Sequence, residues 1–306
     1  MSTSGFHSQP IQWILDWDGT ITKQDTLDSL VGIAASTKPG FPTKQHWDRV
    51  TQAYINDYIE TLEKLAPQGR LPKDLLSEKD LLLKLRDVEQ RSLDRVSSSG
   101  IFAGLSGRQL DDGATTAIVD KQVQLRNGFK HFLDLVRRRQ VRYEDTMCIL
   151  SVNWSRRFIT ACLRAADAKI NLMCTLSNEL DGINEDMPSK GHIGAAEERV
   201  IISSGDKLRE LERIRRQIAV SGRQAVIVYV GDSWTDIECL LAADLGICIR
   251  DEPMGSSQKK LAEALQRLGI ACPHLKDFHD IGVQRVAWAR DFEEIWEWIE
   301  SNAPES

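Results

Sequence analysis

The sequence lacks several features that mark membrane and nucleic-acid-binding proteins. Nowhere in its 306 residues does an apolar run approach the roughly 20 residues needed to span a bilayer. The first ten residues are polar, without the basic start and apolar run of a secretion signal, so we expect a cytoplasmic protein with no membrane partner. The formal net charge is -6, and the arginines within residues 137–142 fit the end of a helix, so we expect no nucleic-acid partner.

Closely spaced cysteine pairs are also missing. The six cysteines include no Cys-x-x-Cys pair, and most lie in apolar stretches where a thiol packs as a small hydrophobic group. We therefore expect buried, reduced cysteines. The chain has 42% apolar and 27% charged residues, which is typical of a globular protein. Its length of 306 residues is enough for one large domain with an insertion, or for two domains. The cysteines are Cys148, Cys162, Cys174, Cys239, Cys248 and Cys272.

Short apolar runs alternate with longer amphipathic runs over most of the chain. The apolar runs resemble buried parallel strands, and the amphipathic runs between the later ones carry apolar residues at helical spacing. This alternation predicts an α/β fold with a doubly wound parallel sheet that is covered by helices on both faces. The predicted strands are Ile11 to Leu15, Met147 to Leu150, Ile170 to Thr175, Ala225 to Val230 and Leu245 to Ile249.

Residues 26–121 differ from the rest because helical patterns replace the strands there, as in the long amphipathic run Leu75 to Val96. We therefore divide the chain into an α/β core, residues 1–25 and 122–306, and a helical insertion, residues 26–121. The insertion follows the first strand, so we expect it above the carboxyl edge of the sheet, where ligands bind in open α/β folds.

Two carboxylates directly follow the first predicted strand, in the segment Asp16-Trp17-Asp18-Gly19-Thr20. Strand alternation would place Asp16 and Asp18 on the same side of the chain at the carboxyl edge. Gly19 would permit an unusual backbone turn. The alternative is an acidic turn at the end of a strand, with no chemical role.

A second acidic segment, Gly231-Asp232-Ser233-Trp234-Thr235-Asp236, follows the fourth predicted strand. The topology brings it near the first segment, and one helical turn would hold Asp232 and Asp236 on the same side. N-capping of the next helix would explain the same residues. Carboxylates gathered in one crevice repel each other unless a cation neutralises them, and hard oxygen ligands beside a phosphate select Mg²⁺.

Two further residues are candidates for binding phosphate. Ser151 follows the second predicted strand, and Lys207 opens a helix after residues 203–206. Alone, Ser151 fits a strand end and Lys207 fits a solvated helix lysine. Their placement beside the two acidic segments favours phosphate binding.

These four elements, in this order, resemble the signature motifs of the haloacid dehalogenase superfamily in its phosphatase branch. The elements are Asp16 to Thr20, Ser151, Lys207, and Gly231 to Asp236. The helical insertion is similar to the C1-type cap of the phosphoserine phosphatase-like group, as are the segments that flank it. The resemblance covers about residues 11–249. It implies a doubly wound α/β core with an inserted helical cap.

The resemblance also implies a reaction, the hydrolysis of a small-molecule phosphate monoester. Asp16 would attack phosphorus and form an aspartyl-phosphate, a known covalent route for carboxylates. Asp18 would protonate the leaving alcohol and later activate water.

The resemblance further implies ligands for Mg²⁺ and for phosphate. The metal would be bound by Asp16, the backbone carbonyl of Asp18, Asp232, and Asp236 directly or through water. The phosphoryl oxygens would be bound by a separate set, namely Ser151, Lys207 and Thr20.

Trp17 and the pair Ser233-Trp234 depart from the residues that are common at these positions of the superfamily. Two other functions stay open: a catalytically silent ligand-binding protein, and a phosphotransferase or mutase that uses the same aspartyl-phosphate. A helical cap roofs the site, so we expect a small-molecule substrate. The sequence leaves the identity of that substrate and the oligomeric state open.

Overall fold

The computed structural model describes residues 9–168, 173–183, 187–196, 199–278 and 285–301. Its centre is a six-stranded sheet with the order β3-β2-β1-β6-β7-β8, in which all neighbouring strands are parallel. Strands β4 and β5 pair separately as a short antiparallel ribbon. The strands are β1 (Ile11–Leu15), β2 (Thr146–Leu150), β3 (Met173–Leu176), β4 (Asn178–Leu180), β5 (Ile193–Ala195), β6 (Val226–Gly231), β7 (Leu245–Ile249) and β8 (Val286–Ala289).

Helices cover both faces of this sheet. Alternate residues of β1 point to opposite sides: Trp13 and Leu15 pack in one apolar cluster with α5, α6 and α10, and Ile14 packs in another with α7, α8 and α9. The predicted doubly wound class is therefore confirmed. The helices are α1 (Leu27–Thr37), α2 (Thr43–Leu65), α3 (Leu75–Ser98), α4 (Gly107–Val119), α5 (Phe129–Tyr143), α6 (Arg156–Ala165), α7 (Ser204–Val220), α8 (Ile237–Ala242), α9 (Ser256–Arg267) and α10 (Phe292–Ser301).

Four of the five predicted strands agree closely with the observed ones. Strands β1 and β7 have the predicted bounds, and β2 and β6 differ by one residue at their ends. The third prediction began at Ile170, whereas β3 begins at Met173, and residues 170–172 lie outside the described residues. Strands β4, β5 and β8 were not predicted.

Five helices, α1 to α5, lie between β1 and β2. The stretch 27–119, which holds α1 to α4 and is described at every residue, contains no strand. Helix α3 packs on α2 and also on α7 of the core. The division of the chain at residues 26 and 121 stays a prediction. In the described part of the chain, no helix combines the length and the apolar character needed to cross a membrane.

The structure corrects the expectation that all of the cysteines are buried. None of the six forms a disulfide bond, and four of them are buried. However, Cys174 is exposed and Cys272 is only half-buried, so the expectation of burial was wrong for these two. Cys174 lies on β3, which is an edge strand of the sheet among the described residues.

Candidate active site

A cavity of about 640 Å³ opens at the carboxyl edge of the sheet, with α2 and α3 forming its opposite wall. Asp16 and Asp232, which follow β1 and β6, line it together with Asp18. Ser151 and Lys207 are fully buried. The volume of the cavity is within the usual range of small-molecule sites, roughly 300–1,000 Å³.

The chain turns sharply after β1. The Asp16 amide donates to the Val230 carbonyl oxygen at 2.9 Å, which extends the strand pairing by one residue. Trp17–Ile21 then form a tight turn in which Asp18 and Gly19 have non-helical backbone angles. Asp18 lines the same cavity as Asp16, whereas Trp17 between them is fully buried. Gly19 has a φ of +71°, and a Cβ there would lie 2.4 Å from the Asp232 carboxylate, so the turn requires glycine for two reasons.

Lys207 is the central cation of the site. Its Nζ lies 2.8 Å from Asp16 Oδ1 and 2.7 Å from Asp236 Oδ1, and its side chain is completely buried. Oxygens of Asp16, Asp232 and Asp236 all lie within 4.8 Å of one another, and all three residues are buried. The structure therefore brings together the two acidic segments and Lys207, as the sequence predicted.

One lysine does not balance three buried carboxylates. Burial, reinforced by Asp236 and Asp232, raises the pKa of Asp16 well above its usual range despite the opposing charge of Lys207. Burial and the Asp236 charge raise the pKa of Asp232 to about 7. Although burial acts against it, the charge of Lys207 and hydrogen bonds keep the pKa of Asp236 below its usual value. Without a second cation, Asp16 and Asp232 therefore tend to keep their protons, and a bound cation would stabilise their ionised forms.

Asp236 is held by donors on both of its oxygens. Oδ1 accepts from Lys207 Nζ at 2.7 Å and from the Tyr229 hydroxyl at 2.6 Å. Oδ2 accepts from the Ser233 amide at 3.0 Å, the Ser233 hydroxyl at 2.8 Å and the Asp232 amide at 3.2 Å. Ser233 and Asp236 form a capping box on the short turn Trp234–Asp236, whereas the helix that follows, α8, has no side-chain cap.

Asp18 points to a different part of the cavity. Its Oδ1 accepts from the amide of Thr26 at 2.8 Å and from its hydroxyl at 2.6 Å, and its Oδ2 accepts from Asn153 Nδ2 at 2.9 Å. Burial and the nearby charge of Asp25 raise the pKa of Asp18 to about 6. Asp18 can therefore exchange a proton near neutral pH.

Hydroxyl groups of the site, including the two predicted to bind phosphate, form hydrogen bonds with other site residues in this structure. Thr20 Oγ1 donates to Asp232 Oδ1 at 3.1 Å, and Ser257 Oγ donates to Asp232 Oδ2 at 2.9 Å. Ser151 Oγ accepts from the Asn153 amide at 3.1 Å. The phosphate-binding roles of Ser151 and Thr20 stay predictions.

Asn153, Arg126 and Ser257 were missed from the sequence. Arg126 is buried and donates from Nε to the Thr20 carbonyl oxygen at 3.0 Å and from Nη2 to the Gly19 carbonyl oxygen at 2.7 Å, so it holds the turn after β1 in place. A signal did exist for Asn153, because it follows Ser151 by two residues at the carboxyl end of a predicted strand.

The donor set fits Mg²⁺. Asp16, Asp232 and Asp236 offer hard oxygen ligands in one buried cluster, where the ionised forms of Asp16 and Asp232 are unfavourable without a further cation. Because the oxygens of Asp236 already accept five hydrogen bonds, Asp16 and Asp232 are the carboxylates better placed to contact a metal directly. The ligand role of the Asp18 backbone carbonyl stays a prediction.

Helix α3 is attached to the core beside this site by a buried ion pair. Glu78 is completely buried, and its carboxylate accepts from Arg267 at 2.8 and 2.9 Å. The same carboxylate accepts from Trp234 Nε1 at 2.7 Å. Trp234 lies between Asp232 and Asp236 in the chain, so Glu78 connects the insertion to the acidic cluster.

The ionisation of Glu89 on α3 should make the free energy of unfolding depend on pH. Burial, with a contribution from Asp57, raises its pKa from 4.5 to about 7, although a hydrogen bond from Tyr54 and the charge of Lys260 oppose the shift. Folding then takes up a proton between about pH 4.5 and 7, so this group lowers the free energy of unfolding as pH rises through that range.

Glu89→Gln removes this titration, so it should stabilise the protein relative to the unmodified chain at pH 8 but not at pH 4.5. We expect a difference on the order of 2 kcal/mol between the two pH values. Urea denaturation of both proteins at several pH values measures it. A stability difference that does not change with pH would contradict the raised pKa.

Sequence comparisons find relatives that match most of the chain. No protein-family model matches the chain. The chain is 32% identical over 277 residues to a CTO1 family protein of Schizosaccharomyces pombe, covering 90% of this chain and 91% of that protein. It is 24% identical over 283 residues to cold tolerance protein 1 of Saccharomyces cerevisiae, covering 87% of this chain and 86% of that protein.

Two solved structures resemble the fold. A substrate-bound phosphoserine phosphatase superposes with a TM-score of 0.52 at 16% identity, covering 95% of this chain and 99% of that chain. Cytosolic 5'-nucleotidase IIIB bound to cytidine superposes with a TM-score of 0.56 at 15% identity, covering 95% and 86%. The chain therefore belongs to the CTO1 family, and it has the fold of the haloacid dehalogenase superfamily phosphatases.

Proposed function

We propose that the protein is a Mg²⁺-dependent phosphatase that hydrolyses a small-molecule phosphate monoester through an aspartyl-phosphate on Asp16. The observation that carries the proposal is the placement of Asp16 in the cavity, paired with buried Lys207 and accompanied by Asp18. A carboxylate nucleophile, a cation beside it and a second carboxylate that can carry a proton are the groups that this chemistry needs.

In the first step, a carboxylate oxygen of Asp16 attacks phosphorus, and the bond from phosphorus to the leaving oxygen breaks. Asp18 gives its proton to that oxygen, so an alcohol departs. In the second step, Asp18 takes a proton from water as the water oxygen attacks phosphorus. Inorganic phosphate leaves and the Asp16 carboxylate is regenerated. The pKa of about 6 for Asp18 suits both directions of proton transfer.

Lys207 and Ser151 would bind the phosphoryl oxygens, which carry the developing charge in such transfers. Thr26 and Asn153 orient Asp18 through its two oxygens. Mg²⁺ held by Asp16 and Asp232 would supply positive charge that offsets the carboxylates and the phosphate. The cavity volume of about 640 Å³ and the wall of helices above it support a small-molecule substrate.

The proposal predicts strict metal dependence. After treatment with EDTA, the protein should release phosphate from 4-nitrophenyl phosphate at least about 100-fold more slowly, and Mg²⁺ should restore the rate. Ca²⁺ should restore much less, because its larger and more flexible coordination shell fits this chemistry poorly. Phosphate release measured with each metal tests this. A rate that does not depend on metal would contradict the proposed site.

A further inference from the structure

The wall of the cavity opposite the acidic cluster has a distinct chemistry. Helices α2 and α3 contribute eight of the residues that line the cavity, and Glu89 is the one charged side chain among them. Apolar and aromatic side chains such as Trp47, Tyr54 and Leu93 make up most of the remainder. This wall faces the position of the leaving group, because the phosphate must lie at Asp16.

The aromatic side chains of the wall are held in defined positions. Trp47 meets Trp154 edge to face with 5.9 Å between ring centroids, and Trp154 meets Phe102 in the same manner at 6.0 Å. Trp47 Nε1 also donates to Asp28 Oδ1 at 2.9 Å. Such rings provide a rigid surface for a flat apolar group or for a cation.

Positive charge is scarce at this cavity. Among the described residues that line it, Lys23 is the one cation, and its side chain is exposed. A leaving group that carries a carboxylate or a second phosphate would therefore find only the exposed Lys23 as a cationic partner among these lining residues, and it would face Glu89. The wall disfavours anionic leaving groups.

Glu89 is suited to receive a positive group. The Tyr54 hydroxyl donates to its Oε1 at 3.0 Å, which orients the carboxylate. Lys260 is the nearby cation, but its Nζ lies 4.4 Å from the ring centroids of both Tyr58 and Trp234 and also donates to the Tyr58 hydroxyl. The charge of Lys260 lowers the pKa of Glu89, but the closest contacts of the Lys260 Nζ are with the two rings and the Tyr58 hydroxyl.

On the basis of the proposed function, we infer that the leaving group of the substrate is a planar apolar group with a positive charge or an N–H donor, which is bound by Glu89 and the aromatic wall. The cavity chemistry selects this class because its one wall carboxylate and its fixed rings both attract cations. Phosphate recognition and leaving-group recognition then use opposite sides of the cavity.

The test uses phenols that differ only in charge, so that it does not depend on catalysis. The probes are (4-hydroxyphenyl)trimethylammonium, phenol and 4-hydroxybenzoate, titrated into the Mg²⁺-containing protein at pH 8 by calorimetry. We expect the cation to bind at least about tenfold more tightly than the anion. Glu89→Gln should remove most of that preference and leave phenol binding unchanged. Glu60→Gln, an exposed residue of α2 outside the cavity, should behave as the unmodified protein.

Equal affinities for the cation and the anion, or a preference that survives in Glu89→Gln, would overturn the inference. Binding of none of the three phenols would do so as well. Hydrolysis of the corresponding aryl phosphates is measured separately. Selective binding of the cation without turnover of any ester would refute the proposed phosphatase function but would support the inferred ligand class.

Discussion

Asp16→Asn should abolish phosphate-ester hydrolysis, with a loss of about 10³-fold or more, and the protein should stay folded. An amide does not attack phosphorus to form a stable acyl-phosphate, so the first step would have no nucleophile. Lys207 would retain its ion pair with Asp236 at 2.7 Å, so the substitution does not leave a buried lysine unpaired.

The same substitution separates catalysis from stability. Burial and two neighbouring carboxylates raise the pKa of Asp16, which means that its charge is unfavourable in the folded protein. Removing that charge should leave the melting temperature in metal-free buffer unchanged or higher, although activity is lost. A catalytic-site substitution that simply disturbs packing would lower both the activity and the melting temperature.

Measurement requires a steady-state assay with 4-nitrophenyl phosphate and Mg²⁺, together with a thermal melt without metal. Asp134→Asn is the matched control, since Asp134 is an exposed residue of α5 that pairs with Arg137. It should retain full activity. Undiminished turnover by Asp16→Asn would refute Asp16 as the nucleophile.

The parallel core was predictable because its strands are short, mostly apolar runs between helices. Strand β1 is buried at all five positions, and its one polar residue, Gln12, lies inside the strand rather than at an end. Strands β4 and β5 have only three residues each, and the ribbon depends on pairing across residues 178–195, which a local pattern does not reveal. The four-residue strand β8 completes the sheet through pairing with β7, which is equally non-local.

The candidate site was predictable where side chains directly follow strands. Asp16 and Asp232 are such residues, and topology alone brings them together. Arg126 was missed because its role depends on contacts with backbone carbonyls more than 100 residues away in the chain. Glu78 was missed for a similar reason, since its partners belong to other segments of the fold.

Glu78→Ala should lower the free energy of unfolding by about 3–5 kcal/mol, because it breaks a buried ion pair and leaves the charge of Arg267 without its partner. The Glu78 side chain is fully buried, and the Arg267 side chain is 17% exposed. Trp234 Nε1, which lies 2.7 Å from the carboxylate, would also lose its acceptor. An unpaired buried donor adds to the loss.

Urea denaturation measures this effect against Asp80→Ala on the same helix. Asp80 pairs with Lys84 at the surface, where both side chains are more than half exposed (57% and 54%), so its removal should change stability little. If Glu78→Ala proves too unstable to purify, the double variant Glu78→Leu with Arg267→Met offers a second measurement. It should recover part of the stability, because an apolar pair of similar volume leaves no unpaired charge. A loss in Glu78→Ala no larger than that in Asp80→Ala would show that the buried pair does not fasten α3 to the core.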